Sequence, residues 1–314
     1  MPFRLGTLLS AFVLVLFGVA LRGGPVQDQP LVAANPRGTA GKSVRAAASL
    51  RVEIKLILIS ASVTDAMDRP VNTLPQESFR VLEDGIEQKI TSFSQEEGPV
   101  SMGLAVDTSG SMKNRMDASV EALDQLFQTT IPGDEFFLVQ FSDRVRVLTG
   151  FTPEPDVIRR KLGGVQAQGW TALLDAVVLS ANRMKYASNR RRVLLVLSDG
   201  NDNNSRFSER EVRNRVVEGD FRVYGIGLQH KPRLLQQLAE ETGGNVLVAQ
   251  RMNEMPDVVA RLSREIRTQY LLGYSSTNPT NDGKYHKVKV ELVSQPGMPP
   301  LRVSWRRGYY APGD

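Results

Sequence analysis

Between residues 100 and 268 the chain alternates short apolar runs with amphipathic stretches. The apolar runs at 101–106, 135–141, 145–148, 192–198, 222–227 and 245–248 have the length of buried strands. Between them, residues 112–129, 156–162, 172–184, 209–218, 233–241 and 256–267 carry apolar residues at helical spacing. Parallel neighbours cannot be joined by a tight turn; they need a crossover, and a helix supplies it. The alternation therefore predicts an α/β fold: a doubly wound, mostly parallel, Rossmann-like sheet with helices on both faces.

The flanks read differently. Val52, Ile54, Leu56 and Leu58 alternate with Arg51, Glu53 and Lys55, as on a half-buried strand. Runs at 79–83 and 86–90 bracket Asp84-Gly85, a strong two-residue hairpin signal. After the α/β region, 270–274, 287–293 and 301–305 are strand-like, divided by Asn278-Pro279 and Gln295-Pro296-Gly297. Neither set is large enough to bury a core alone. The two are expected to pack together as one smaller β-sandwich-like domain, from 50–98 and 269–312, with the α/β domain at 99–268 inserted between them. Insertion is feasible because the termini of compact domains often lie close together.

At the start, Arg4 precedes an apolar run over 8–19, and Gly18-Val19-Ala20 gives a small-x-small pattern. Residues 1–20 read as a secretory signal peptide, and 21–49, rich in Gly, Pro, Ala and Gln, as a flexible linker. The chain is expected to be exported to the periplasm, cell envelope or exterior. It would stay on a membrane only if the segment remains uncleaved, since 5–21 is barely long enough to span. The absence of Cys removes disulfides, thiol nucleophiles and a lipoprotein anchor. Gly41-Lys42-Ser43 imitates the end of a phosphate loop, but Pro36 stands where a glycine is needed and no strand precedes it.

Five residues in the α/β region can make one site. Asp107, Ser109 and Ser111 lie in Asp107-Thr108-Ser109-Gly110-Ser111, directly after the first strand. Thr171 lies in Gly169-Trp170-Thr171-Ala172-Leu173, and Asp199 ends the run that starts at Val193. Open α/β sheets bind ligands outside the carboxyl ends of their strands, where Asp107 and Asp199 are expected. A hard divalent cation wants about six oxygens, and two carboxylates, three hydroxyls and water supply them. Mg2+ or Mn2+ suits this hydroxyl-rich, low-charge set better than Ca2+, and the lack of a Cys or His ligand disfavours zinc and copper. The two His, His230 and His286, have no partner at metal-ligand spacing and are expected to be surface or packing residues.

These residues in this order resemble the von Willebrand factor A domain and its metal-ion-dependent adhesion site. The resemblance implies that Ser109, Ser111 and Thr171 are the hydroxyl positions, and that Asp107 and Asp199 reach metal directly or through water. It implies binding rather than chemistry, with the metal taking an acidic oxygen from a partner protein or glycan, or from a second copy of the chain. It also implies that 145–148 is an antiparallel edge strand and that the last helix, 256–267, could slide and change the metal's affinity. Rim residues around such a site would be Met112, Lys113, Asn114, Trp170, Asn201, Asp202 and Asn203, with Trp170 the best anchor for a partner. Segments in the flanks, such as Phe79-Arg80-Val81-Leu82-Glu83-Asp84-Gly85 and Arg307-Gly308-Tyr309-Tyr310-Ala311-Pro312, resemble exported A-domain-related proteins of Acidobacteria.

Other function classes fit less well. Asp107 is placed like a phosphoaspartyl nucleophile, but Ser109 stands where that chemistry needs a second carboxylate. No Gly-x-Ser-x-Gly elbow occurs, and no general base of near-neutral pKa is evident. The formal charge of +5 is modest and scattered; Arg190-Arg191-Arg192 and Arg306-Arg307 read as solvated strand ends, so no nucleic acid partner is expected. A structural envelope protein whose metal serves only stability is the alternative to a binding module.

Overall fold

The computed structural model describes residues 56–199, 202–278, 282–293 and 299–311. The expected signal peptide and linker, the start of the first strand, and Asn201 lie outside these residues. Four strands come first: β1 (Leu56–Thr64), β2 (Phe79–Glu83), β3 (Ile86–Gln88) and β4 (Ile90–Glu96). The α/β region follows with β5 (Val100–Asp107), α1 (Met116–Phe127), β6 (Glu135–Phe141), β7 (Val145–Thr152), α2 (Pro155–Gly163) and α3 (Leu173–Met184). It continues with β8 (Arg191–Ser198), α4 (Glu209–Glu218), β9 (Arg222–Leu228), α5 (Arg233–Thr242), β10 (Val246–Ala249) and α6 (Met255–Arg267). The last strands are β11 (Gln269–Ser275), β12 (Tyr285–Leu292), β13 (Arg302–Trp305) and β14 (Gly308–Tyr310).

The central sheet has the order β10-β9-β8-β5-β6-β7. Its strands run parallel except β7, which pairs antiparallel with β6 at the edge. Every residue of β5 is buried, which is why it shows no polar alternation: a parallel strand between two helix layers has no wet face. Met102, Leu104 and Val106 point into one core, shared with α1, α2 and α6. Ala105, on the opposite face, joins the core shared with α3, α4 and α5.

The flanking strands build two four-stranded sheets, ordered β13-β1-β11-β4 and β14-β12-β2-β3. Each takes strands from both ends of the sequence. Ile59, Ala61, Val63, Phe79, Val81, Tyr270, Leu272, Tyr274, Val288, Val290 and Trp305 form one buried core between them. Register makes the mixing firm: β11 pairs antiparallel with β1 on one side and with β4 on the other.

Several local expectations need correcting. The run 86–90 is not one strand: β3 ends at Gln88, and Ile90 begins β4, which belongs to the other sheet. The stretch at 112–129 does not start helical at its first residue. A short 3-10 turn at Gly110–Met112 precedes α1, which begins at Met116. The first strand continues to Thr64, beyond the alternating stretch that marked it, and β14 gave no separate strand signal. Among the described residues no helix is long and apolar enough to cross a membrane.

Candidate metal centre

Parallel register places the acids. β5 pairs with β8 so that Val106 faces Leu197, which leaves Asp107 beside Ser198 and Asp199 one residue beyond. Asp107 is fully buried. Its Oδ1 accepts a hydrogen bond from the Ser109 backbone N–H at 2.9 Å, and its Oδ2 accepts one from Ser198 Oγ at 2.6 Å. The hydroxyls of Ser109 and Ser111 stand 3.0 Å apart.

The surrounding loops are tied together through their backbones. Thr108 N–H donates to the Phe141 carbonyl at 2.8 Å, fixing the turn after β5 to the end of β6. Gly110 N–H donates to Gly169 O at 2.9 Å, and Gln168 N–H to Thr108 O at 2.8 Å, which brings the loop before α3 alongside. Gly169 has φ +85°, and a Cβ there would sit 2.3 Å from the Asp143 carboxylate. That carboxylate accepts the Trp170 N–H at 2.5 Å, so the bend that presents Thr171 requires glycine. Thr171 is tied in turn to the loop after β8: its N–H donates to Asn203 Oδ1 at 2.8 Å, and its carbonyl accepts from Asn203 and Asn204 N–H.

Asp199 is buried and unevenly satisfied. Its Oδ2 lies 3.4 Å from Arg115 Nη1, while Oδ1 has no hydrogen-bond partner among the described residues. Burial pushes the Asp107 carboxyl above its ordinary range; hydrogen bonds from Ser198 and Ser109 pull it back, and the Asp199 charge adds to the rise. A buried carboxylate oxygen without a donor is costly, and a cation relieves it. The donor set, two carboxylates and three hydroxyls, fits a hard divalent ion.

The rim divides. Trp170 is 64% exposed, which removes the reading of it as a core tryptophan. Lys113 and Asn114 are exposed in the stretch before α1. Met112 is fully buried in the core with α1 and β5, so the expectation that it lines the rim is corrected: the 3-10 turn rotates it inward. Asp202 and Asn203 already serve the scaffold. Asp202 Oδ1 accepts from Leu174 N–H at 3.2 Å and from Ser205 Oγ at 2.5 Å, at the start of α3. Sequence reasoning missed Ser198, Arg115 and Asp143. Ser198 left a trace, as a polar residue closing an apolar run. Arg115 and Asp143 act on residues far along the chain and left none.

With this geometry in view, residues 102–201 match the family model of the von Willebrand factor type A domain, so the central part of the chain carries a domain of that type. No curated protein matches the chain. Among solved structures, a von Willebrand factor type A protein from Catenulispora acidiphila is similar at 12% identity, over 82% of this chain and 72% of that one, with TM-score 0.49. The conserved hypothetical protein BatB from Bacteroides thetaiotaomicron is similar at 14% identity, over 53% of this chain and 98% of that one, with TM-score 0.45. The PilB minor pilin from Streptococcus sanguinis is similar at 14% identity, over 55% and 62%, with TM-score 0.45.

Proposed function

We propose that this chain is an exported, divalent-metal-dependent binding module that captures an acidic group of a partner protein or glycan. Asp107, Ser109, Ser111, Thr171 and Asp199 would hold Mg2+ or Mn2+. When bound, such an ion supplies an electrophilic position that attracts a carboxylate oxygen. The observation that carries the reading is the buried acid pair at the carboxyl edge of β5 and β8, with Asp199 Oδ1 left without a donor. The match of residues 102–201 to a domain type that mediates interactions supports it. Export rests on the apolar run at 8–19.

The remaining work belongs to the chain. Ser198 and the Ser109 N–H hold Asp107 in one orientation. Trp170 offers an exposed aromatic surface next to Thr171, the residue type that anchors interfaces. Among the described residues at this edge none is set up as a nucleophile with its own base, and the proposal is binding rather than turnover. The test is retention of cell-envelope components of the source organism on the immobilised mature chain. We expect retention in Mg2+ that is lost both in chelator and on Asp107→Ala. Retention indifferent to both would contradict the proposal.

A further inference from the structure

In the smaller β domain, the β2–β3 turn brings Glu83 and Asp84 to His286 of β12, 202 positions after Asp84. His286 is buried, contrary to a surface placement, and it does have acidic partners. Its Nδ1 lies 2.8 Å from Asp84 Oδ2 and 3.4 Å from Glu83 Oε1. One donor atom each from Glu83, Asp84 and His286 falls within 4.8 Å of the others. Two neighbouring ligands at about 2.1 Å from one ion lie about 3 Å apart, so the 2.8 Å hydrogen-bond distance and the 3.4 Å distance from Nδ1 are both close to those of ligands on a shared cation.

Each donor is also held from behind. Asp84 Oδ1 accepts the Lys287 N–H at 2.9 Å, which turns Oδ2 inward. Glu83 Oε1 accepts from Ser276 Oγ at 2.8 Å and from Tyr309 Oη at 3.1 Å. The His286 ring stacks on Tyr309 at 5.5 Å, and Asp282 Oδ1 lies 3.5 Å from its Nε2. Nε2 makes no hydrogen bond among the described residues, and Asp282 stands near this distal ring nitrogen, where a carboxylate would orient a metal-binding imidazole once the ring loses its Nδ1 contact to Asp84.

A second observation stands apart from these distances. Glu83 is 2% exposed, and its Oε2 has no hydrogen-bond partner among the described residues. No Lys or Arg forms an ion pair with Glu83 among the described residues, so the buried carboxylate has no fixed counter-charge except His286. Asp84 is exposed at the turn, which leaves a way in from solvent.

We propose that Glu83, Asp84 and His286 form a separate divalent-cation site that takes a transition-metal ion of the Zn2+ class, which an imidazole with two carboxylates suits. The ion would join the β2–β3 turn to β12. This proposal does not depend on the metal centre of the central sheet.

The test uses the whole chain carrying Asp107→Ala, so that a failure of the first centre cannot imitate a result here. The chain has only two histidines, so 15N spectra of the imidazoles are simple to read, with His230→Gln assigning the pair. One equivalent of Zn2+ is expected to shift the His286 Nδ1 resonance and leave His230 in place. Asp84→Asn keeps the turn, because Asn tolerates φ near the +48° seen at Asp84, and is expected to weaken Zn2+ binding at least tenfold, as a lower estimate from ligand-supporting groups. Asp282→Asn is expected to weaken it about tenfold or more through the ring alone. A His286 resonance that follows pH but ignores Zn2+ would overturn the proposal and leave a buried imidazolium. Zn2+ uptake unchanged by Asp84→Asn would overturn it as well.

Discussion

Arg115 stands where it would compete with a cation for Asp199. Its Nη1 reaches Asp199 Oδ2 at 3.4 Å, and its Nη2 is held at 3.3 Å by Gln229 Oε1. A partly exposed pair of this kind contributes about 0.2–1 kcal/mol. Arg115→Ala is therefore predicted to tighten Mg2+ binding by up to about fivefold, read by calorimetry; weaker binding would show that Arg115 assists the ion instead. Trp170→Ala is predicted to leave Mg2+ affinity unchanged but to weaken partner retention, by about tenfold if the ring is an interface anchor. Loss of metal binding in that variant would return Trp170 to a structural role. At this scale the placement of Asp107 and Asp199 was legible, because one closes β5 and the other follows β8 directly. Met112 was not: whether it faces rim or core depends on the 3-10 turn, and adjacency to a motif does not reveal that rotation. His286 was unreadable for another reason, since its partners Glu83 and Asp84 lie some 200 positions away, as the 202-residue separation from Asp84 records.

Among the elements, α4 shows how local chemistry sets a boundary. Ser208 and Glu211 form a reciprocal capping box, and the helix begins at Glu209 as its sequence pattern predicts. Ser208→Ala should cost about 1 kcal/mol, measurable by denaturant unfolding. The hydrogen bond from the Ser208 backbone N–H, then that from its hydroxyl, hold Glu211 below its ordinary 4.5. A depressed carboxyl stabilises the fold above its unfolded value and loses that contribution as pH falls through the lower, folded one. The stability difference between the wild type and Glu211→Gln should thus be present above pH 4.5 and shrink on further acidification. The end of α5 is set by Gly243, at φ +78°, where a Cβ would lie 2.4 Å from the Trp305 carbonyl carbon. Gly243→Ala should cost at least about 2 kcal/mol, while Gly98→Ala, with open space around it, should be nearly neutral. Central strands such as β6 and β8 were legible because burial on both faces leaves continuous apolar runs. The break at Lys89 was not, because β4 leaves its hairpin partner to pair with β11, a strand about 180 residues later, as the Ser92–Gly273 register shows.

In the molecule as a whole, the two flanks form one core while the α/β region runs between them. That much followed from noticing that neither flank could bury a core alone; the strand order did not follow, because β11 inserts between β1 and β4 by pairings no local pattern encodes. Removing residues 269–314 would uncover both β1 and β4. The prediction is rapid proteolysis within β1–β4 and a lowered melting temperature; a truncated chain that keeps those strands protected would contradict the shared core. α6 passes through Thr268 directly into β11, and Arg267 pairs with the buried Asp134 at 2.7 Å, so the helix is tied to both parts. The most direct measurement is calorimetric titration of Mg2+ into the chelator-treated chain carrying Asp84→Asn, with and without Asp107→Ala. The account predicts saturable one-site binding in the chain with intact Asp107 and none in the Asp107→Ala variant. Equal Mg2+ binding by both, or binding by neither, would contradict the claim that these five residues hold a working metal centre.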